Sequence, residues 1–324
     1  MAYRVTTRVN KIATALTLAE YIAWAQAIVD ALIAVGVVQT SDTGQVILSN
    51  ISALPLTGVS AGYMIFRFND SMQATRPLYF KLTFSARGTS PNAWYFPSLG
   101  MSIARGSDGL GSLVGSVSST VYSIIGTGSG SSGITLKTGT ATSTVISSGD
   151  GYLHMALGHN SISPHSSYFS GGDYSEGFFS IMRSTDSSGG VDGRYVSLVY
   201  RDPYDTAINP LKGPGILSID YDSTAILTST SFSFLPLSDA VPSISGGTPV
   251  FPMYAPTALN PILSQLVLVN FQRALFGDTF SVAIVGSTLK PYFALGKTFS
   301  PMDNSWTGTT GLCGIAILTE GPLV

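Results

Sequence analysis

The chain has few charged residues. Asp, Glu, Lys and Arg make up 10% of its 324 residues, against roughly 25% in an average soluble domain. A free monomer normally spreads charge over its surface to stay soluble, so this shortage predicts that partner subunits cover much of the surface. The 16 basic and 18 acidic residues give a formal net charge of −2. This balance predicts no nucleic-acid partner and no polybasic membrane-binding segment.

Cysteine is nearly absent. Cys313 is the single one, which excludes an intrachain disulfide framework and leaves oligomerisation as one way to gain stability. It lies in an apolar run without a nearby histidine, so we expect a small buried side chain rather than a nucleophile. Hydrophobic residues make up 44% of the chain, which is enough for a sizeable core and is the opposite of a disordered composition.

The N-terminal region imitates a targeting segment without meeting its requirements. Basic residues precede an apolar stretch, as in a secretion signal, but Glu20 interrupts the apolar part, so we expect no signal peptide. The run from Ile22 to Val38 carries Gln26 and Asp30 and is short for a span of about 20 residues. We therefore expect no membrane insertion.

One helix is predicted near the N-terminus. Thr17 and Glu20 form a capping-box pattern, apolar residues recur at helical spacing as far as Ile33, and Gly36 is placed to end the helix in the left-handed conformation. A second row consists of small residues that would let a neighbouring element approach closely: Ala23, Ala27, Ala31 and Ala34. This row is either a simple helix-forming face or an interface with a neighbouring subunit.

The rest of the chain has the pattern of β-strands. Alternation is clearest in Leu78–Phe84, and the segments Phe178–Arg183 and Arg194–Tyr200 flank a turn-rich loop as in a hairpin. Further strands are predicted by short apolar runs bounded by turn-forming residues: Tyr63–Phe68, Tyr152–Leu157, Ile216–Tyr221, Leu263–Phe271, Thr279–Val285, Tyr292–Ala294 and Cys313–Leu318.

We therefore predict a mainly β protein, with one or more β-sandwich-like domains and one N-terminal amphipathic α-helix. Residues 1–45 would form an arm and helix for docking or oligomerisation, and residues 46–235 a β domain with Gly/Ser-rich loops. Residues 236–324 would form a Pro-rich strap and a C-terminal β portion, either separate or part of the same domain. Within the strap, Val250–Pro256 is expected to break any regular element because of its prolines.

Three histidines lie close together in the sequence and are the candidates for a metal site: His154, His159 and His165. Clustered imidazoles are common metal ligands. Their spacing suits a single site poorly, because His154 is predicted on a strand and the other two in a loop, and no cysteine is near. Hydrogen-bonded or solvated histidines are the preferred interpretation, and we predict no cofactor.

Two pairs of aspartates are the candidates for acid–base chemistry on glycans. Asp220 and Asp222 lie two apart on a predicted strand and would share a face, whereas Asp202 and Asp205 lie in a loop. Aspartate in such Gly-, Ser- and Pro-rich segments normally bonds the backbone amides of its own turn. The sequence has no nucleophile elbow, dinucleotide-binding or phosphate-loop pattern in the required context, so we predict that the chain is not an enzyme.

Two aromatic clusters are the candidates for ligand or partner binding: Trp94, Tyr95 and Phe96, and Tyr168 with Phe169. They lie in polar or proline-flanked settings, where aromatic rings can stack on sugars or anchor a protein interface. Packing in the core is the simpler interpretation.

Three segments resemble the virion structural proteins of tailed bacteriophages. They are Tyr63–Arg87, the turn Gly106–Gly111 (Gly-Ser-Asp-Gly-Leu-Gly) and Gly277–Gly286 (Gly-Asp-Thr-Phe-Ser-Val-Ala-Ile-Val-Gly). The resemblance implies a β-rich, low-charge protein of the tail or baseplate. It carries no catalytic or binding motif, so it assigns no functional residue.

Composition and resemblance together predict a non-enzymatic, homo-oligomeric structural component of a phage virion, associated with the tail or baseplate. It would be assembled in the host cytoplasm, with copies of itself and other virion proteins as partners. Two alternatives stay open: a receptor-binding tail protein that recognises a host surface glycan, and a capsid decoration or cement protein.

Overall fold

The computed structural model describes the chain in fourteen segments: 2–7, 17–56, 58–87, 96–124, 142–159, 177–201, 215–223, 226–229, 241–242, 249–254, 262–270, 279–283, 289–299 and 313–319. Within these segments the chain forms one α-helix, one short 3-10 helix and twenty β-strands. The predicted mainly β fold with an N-terminal helix is confirmed.

After the α-helix, the described elements are mainly short strands joined by turns. In chain order they are β1 (Ala2–Thr7), α1 (Leu18–Ala34), β2 (Val38–Gln39), the 3-10 helix Leu48–Asn50, β3 (Ser60–Arg67), β4 (Tyr79–Arg87), β5 (Phe96–Ala104), β6 (Gly106–Ser107), β7 (Leu113–Val114), β8 (Val121–Ile124), β9 (Thr142–Gly149), β10 (Tyr152–His159), β11 (Gly177–Thr185), β12 (Val191–Arg201), β13 (Gly215–Asp220), β14 (Ile226–Ser229), β15 (Val241–Pro242), β16 (Pro249–Tyr254), β17 (Ile262–Asn270), β18 (Thr279–Val282), β19 (Lys290–Phe299) and β20 (Cys313–Leu318). Each predicted strand has a counterpart in this series.

The described strands form a 13-stranded sheet, a five-stranded sheet and a two-stranded hairpin. We call the five-stranded sheet the front sheet, and the two parts of the 13-stranded sheet the middle and back sheets. The front sheet has the order β2-β3-β4-β5-β8, the middle sheet β1-β9-β10-β11-β12-β13-β14, and the back sheet β15-β16-β17-β20-β19-β18. The middle and back sheets are continuous through a single residue pair, Thr185 with Ile262. The two-residue strands β6 and β7 form a separate small hairpin.

The main core lies between the front sheet, the helix and the middle sheet. In β4 the predicted alternation holds, because Phe80, Leu82 and Phe84 are fully buried while Lys81 and Thr83 are partly exposed. The middle sheet adds apolar side chains to the same core: Ile146, Leu153, Met155, Leu157, Phe179, Ile181, Val196, Leu198, Leu217 and Ile219. This sandwich-like pair of sheets therefore holds most of the described apolar core. Burial of each such side chain contributes about 2 kcal/mol to the stability of the fold.

Both ends of α1 have the predicted capping interactions. The backbone N–H of Thr17 donates to Glu20 Oε2 at 2.9 Å, and the N–H of Glu20 donates to Thr17 Oγ1 at 3.2 Å, which is the capping box. At the other end Gly36 has a φ of +93°, and Val37 N–H donates to the Leu32 carbonyl at 3.0 Å. This is the left-handed helix terminus that favours glycine.

The helix is part of the main core rather than a separate docking arm. Trp24 does not belong to the apolar pattern that predicts the buried face of the helix, yet it is buried. Its ring packs edge-to-face on Phe84, with the two ring centres 6.4 Å apart. The Tyr21 hydroxyl also joins the helix to the front sheet, because it donates to the Ser85 carbonyl at 3.2 Å. Ile33, which was predicted on the buried face, is instead 50% exposed. The boundary placed at residue 45 therefore does not separate two packed units, and the boundary at 236 lies outside the described residues.

The proline-rich segment forms a strand, so the prediction that Val250–Pro256 breaks regular structure is wrong for its first part. Residues Pro249–Tyr254 form β16, which pairs with β15 and β17. Pro249 is the first residue of the strand, and the register shifts between Pro252 and Met253. Strand starts and bulges are positions where a missing N–H costs no ladder hydrogen bond.

A buried ion pair joins the front sheet to the middle sheet. Arg183 of β11 donates from Nε to Asp70 Oδ2 at 2.6 Å and from Nη2 to Asp70 Oδ1 at 3.1 Å. Asp70 lies in the connection between β3 and β4. Its side chain is 2% exposed, and that of Arg183 is 0% exposed. This two-pronged geometry suits an Arg–carboxylate pair removed from water.

Further polar contacts surround this ion pair and cross the same junction. Arg76 Nη1 donates to the Asp192 carbonyl at 3.1 Å, and Arg105 Nη2 donates to the Asp220 carbonyl at 2.5 Å. The Ser71 N–H and hydroxyl donate to the Asp150 carboxylate at 2.9 and 3.0 Å. We call these contacts, together with the Asp70–Arg183 pair, the charged joint.

Substitution Asp70→Asn is expected to destabilise the chain by about 3 kcal/mol, because it leaves the buried Arg183 guanidinium without its counter-charge. The free energy of unfolding from urea titration measures this loss. Asp150→Asn is the matched control, since Asp150 is exposed and its contacts are worth less than about 1 kcal/mol. Equal losses for the two variants would contradict the central place of the buried pair.

Candidate functional site: an apolar hairpin on a polar cradle

Of the three predicted histidines, the structure describes the side chain of His154 alone. His154 is fully buried on β10, where its Nδ1 lies 2.7 Å from Ser180 Oγ. His159 is the last residue of β10 rather than part of a loop, and His165 lies outside the described residues. Among the residues that the structure describes, no group of three His, Cys, Asp or Glu side chains could hold a metal ion.

Asp220 and Asp222, predicted as an acid–base pair, stabilise a turn and form ion pairs. Asp220 ends β13, and its Oδ1 accepts the N–H of Asp222 at 2.9 Å, so the two do not share a strand face as predicted. Arg194 Nε lies 3.1 Å from Asp222 Oδ2, and Arg76 Nη2 lies 3.6 Å from Asp222 Oδ1. Asp202 and Asp205 lie outside the described residues.

The predicted interface and aromatic residues are only partly described. In the alanine row, Ala23 and Ala34 are exposed and Ala27 is half-buried. Ala31 lies in the chain's own core, so the interface prediction does not hold for it. Phe96 begins β5, and the other aromatic candidates lie outside the described residues: Trp94, Tyr95, Tyr168 and Phe169.

Sequence reasoning missed a surface feature among the described residues, the hairpin of β6 and β7, which we call the apolar hairpin. Its pairs are Gly106 with Val114 and Ser107 with Leu113. At its tip Leu110 is 74% exposed, as much as any large apolar side chain that the structure describes. Val114 at the end of the hairpin and Val117 beyond it are less exposed, at 42% and 39%. The resemblance segment covered this turn, but no signal in the sequence marked Leu110 as exposed.

The turn at the hairpin tip is held by its own aspartate. Asp108 Oδ1 accepts the N–H of Leu110 at 2.8 Å and the N–H of Ser112 at 2.9 Å. These backbone hydrogen bonds lower the pKa of Asp108 below its ordinary value, since they favour the carboxylate form. Gly111 has a φ of +97°, and a Cβ there would lie 1.9 Å from the Tyr63 hydroxyl oxygen. Only glycine fits this position.

A second carboxylate fixes the hairpin to the segment before it. Asp42 accepts the Ser107 hydroxyl at 3.0 Å and the Gly111 N–H at 3.3 Å, and Thr43 N–H donates to the Gly109 carbonyl at 3.0 Å. Burial raises the pKa of Asp42, but hydrogen bonds from Thr40, Ser107 and the glycine backbone outweigh burial and leave the pKa below its ordinary value. The carboxylate is therefore charged at neutral pH.

Lys81 supports the hairpin from the front sheet. Its Nζ donates to the Gly111 carbonyl at 2.7 Å and lies 3.6 Å from the centre of the Tyr63 ring, a cation–π distance. Burial lowers the pKa of Lys81, and the charges of Asp108 and Asp42 partly offset this effect. Lys81, Asp42 and Asp108 form a polar cradle that fixes the backbone under Leu110.

This arrangement presents exposed apolar side chains on a backbone held by hydrogen bonds. The cradle side chains bond the backbone of the hairpin, and its Leu110 and Val114 side chains are exposed. A loop already held in one conformation loses little entropy when it binds. Among the residues that the structure describes, no helix is long and apolar enough to cross a membrane.

Substitution Lys81→Met is expected to loosen the hairpin while preserving the length of the side chain. Loss of a partly exposed charge-assisted hydrogen bond should lower the free energy of opening the hairpin by about 1 kcal/mol. The protection factors of the Gly111 and Ser112 amides should therefore fall about fivefold. Hydrogen exchange measures this change, with Lys290→Met as the control. Unchanged protection would show that Lys81 does not hold the turn.

Comparison of the chain with protein-family models, with curated proteins and with solved structures gives no match in any of the three.

Proposed function

We propose that the chain is a non-enzymatic structural protein that assembles with copies of itself as part of a phage virion, on the tail or baseplate. The observation that carries this proposal is the apolar hairpin, because a leucine that is 74% exposed stands on a backbone fixed by three charged side chains. Exposed apolar groups on a rigid support are typical anchors of protein interfaces.

The composition supports the same proposal. Only 10% of the residues are charged, and a group of these charges is used inside the molecule, in the charged joint and in the cradle. The described surface therefore carries little charge that would oppose contact between copies. Other large apolar side chains are exposed as well, Ile33, Ile47 and Val59 among them.

The described carboxylates also support a structural role. Asp70 pairs with Arg183, Asp108 holds its own turn, and Asp186 accepts the Ser188 and Gly190 amides at 2.8 and 2.9 Å. Hydrogen bonds from Ser188 and the Gly190 backbone lower the pKa of Asp186. A general acid needs the opposite shift, a raised pKa.

The placement on a phage tail or baseplate rests on the resemblance of Tyr63–Arg87, Gly106–Gly111 and Gly277–Gly286 to such proteins. The apolar hairpin contains the second of these segments, so the resemblance and the exposed surface coincide there. A glycan-binding tail protein and a capsid decoration protein are the alternatives. Saturable binding of host polysaccharide would favour the first, and binding to isolated heads the second.

Substitution Leu110→Asp is expected to weaken self-association about 30-fold, which corresponds to about 2 kcal/mol for an interface anchor. The fold should persist, because the side chain is exposed. Leu56→Asp is a matched control, since Leu56 is 73% exposed and lies outside the hairpin, and it should assemble like the wild type.

Sedimentation velocity across a concentration series measures the association, and circular dichroism checks the fold. A wild-type chain that stays monomeric at high concentration would contradict self-assembly. Weakening by Leu56→Asp and not by Leu110→Asp would place the contact elsewhere and overturn the role of the hairpin.

A further inference from the structure

The sequence contains three Asp-Gly pairs: Asp108–Gly109, Asp150–Gly151 and Asp192–Gly193. An aspartate before glycine is prone to isomerisation, because glycine has no Cβ to shield its amide nitrogen from the aspartate side chain. All three pairs lie in described segments, and their glycines have φ values of +76°, +79° and +62° in chain order. The three pairs are alike in sequence and in glycine conformation, but their surroundings differ.

Isomerisation of an Asp-Gly pair consumes no reagent except water. The glycine amide nitrogen bonds to the aspartate Cγ, and the carboxyl hydroxyl leaves with the amide proton as water, which closes a succinimide ring. Water then opens the ring at the backbone carbonyl of the aspartate, so the original peptide C–N bond breaks and the chain continues through the side chain. The product, isoaspartate, has the mass of aspartate but an additional methylene group in the main chain.

In the closed apolar hairpin, the turn of Asp108 and Gly109 is held against this reaction. Asp108 Oδ1 accepts the N–H groups of Leu110 and Ser112 at 2.8 and 2.9 Å, and the Gly109 carbonyl accepts the Thr43 N–H at 3.0 Å. The bonds to Asp108 favour its charged form, whereas the ring closes faster on the neutral acid, from which water can leave. Ring closure therefore needs the turn to open.

This turn can open without disturbing the larger sheets. Strands β6 and β7 are joined by two residue pairs, and both Asp108 and Gly109 are exposed. Apart from the adjoining residues, no described atom lies within 4 Å of the position that a Cβ on Gly109 would take. Segments with few buried contacts and exposed hydrogen bonds open at a low free energy.

The second pair is enclosed by the middle sheet. Asp150 and Gly151 form the turn between β9 and β10, whose pairing begins directly beside it. The Asp150 carboxylate accepts the Ser71 N–H at 2.9 Å, and the Gly151 carbonyl accepts the Arg183 N–H at 2.8 Å. A Cβ on Gly151 would lie 2.8 Å from Val191 Cγ2, so the glycine is packed against the next hairpin.

The third pair is part of a long strand. Asp192 lies in β12, which pairs with β11 and β13. Its Oδ1 accepts the Ser184 hydroxyl and the Arg194 N–H, the latter at 2.8 Å. Its carbonyl accepts Arg76 Nη1 at 3.1 Å. Freeing Asp150 or Asp192 therefore breaks contacts between the middle sheet and the β3–β4 connection, which opening of the apolar hairpin leaves intact.

We propose that Asp108 is a modification site, at which isoaspartate forms before it forms at the other two pairs, and that the polar cradle sets the rate by keeping the hairpin closed. The rate is then the opening equilibrium of the hairpin multiplied by the rate of ring closure in the open turn. The added methylene group displaces the carboxylate from the Leu110 and Ser112 amides, so the turn under Leu110 loses its fixed shape. The resulting loss of assembly rests on the proposed function of the hairpin.

Storage of the purified chain at neutral pH for several weeks, followed by peptide mapping, tests the site. Electron-transfer fragmentation distinguishes isoaspartate from aspartate in peptides of equal mass. Isoaspartate should accumulate at position 108 at least about tenfold faster than at positions 150 and 192, because local opening is easier than opening of a paired sheet. Isoaspartate that appears first at position 150 or 192, or at none of the three, would overturn the proposal.

Substitution Lys81→Met tests the control by the cradle, since it removes the hydrogen bond from Lys81 Nζ to the Gly111 carbonyl. Isomerisation at position 108 should become about fivefold faster, the factor expected for opening of the hairpin. The rates at positions 150 and 192 should stay the same, and the control Lys290→Met should behave like the wild type. An unchanged rate at position 108 in the folded variant would overturn control by the cradle. If circular dichroism shows that Lys81→Met does not fold, the order of the three pairs in the wild-type chain decides.

Sedimentation of the stored wild-type chain tests the consequence for assembly. The unassembled fraction should be enriched in isoaspartate at position 108, and equal content in the assembled and unassembled fractions would overturn this consequence. A chain that is monomeric before storage would contradict the proposed function, whereas the order of the three pairs decides the modification site in either case.

Discussion

The pair of Asp70 and Arg183 is the constraint on which the arrangement of the layers depends. It fixes the connection between β3 and β4 against β11, with both side chains withdrawn from water. Such a pair is costly to bury and costly to break, so it specifies one relative position of the front and middle sheets. In a chain with so little charge, placing two charges there means that the layers are locked by geometry as well as by apolar burial.

The two faces of the middle sheet contact different layers. The front sheet, the helix and one face of the middle sheet share an apolar core, which supports the cradle under Leu110 from below. The other face of the middle sheet carries buried serines and a histidine among buried apolar side chains, and its Ser147 hydroxyl donates to the Leu318 carbonyl of the back sheet. The proposed assembly depends on the first of these sides, where the hairpin is fixed on the shared core.

Local patterns in the sequence predicted local structure well. The capping box of Thr17 and Glu20, the end of the helix at Gly36 and the alternation in Leu78–Phe84 all follow from short-range rules. Cys313 begins the predicted strand β20. The burial of Trp24 and the strand Pro249–Tyr254 were missed, because the first depends on the sheet beneath the helix and the second on a bulge that accommodates proline. The charged joint and the cradle join residues far apart in sequence, such as Asp70 with Arg183 and Asp42 with Gly111, so spacing alone could not reveal them.

Immunogold electron microscopy of phage particles, with antibody raised against the purified chain, tests the central claim most directly. The account predicts label at the tail or its tip, in a number of copies that reflects a symmetric assembly. Label over the head would place the chain among capsid decoration proteins. Absence of label from intact particles, with the epitope shown to be accessible on the assembled chain, would contradict a structural role in the virion.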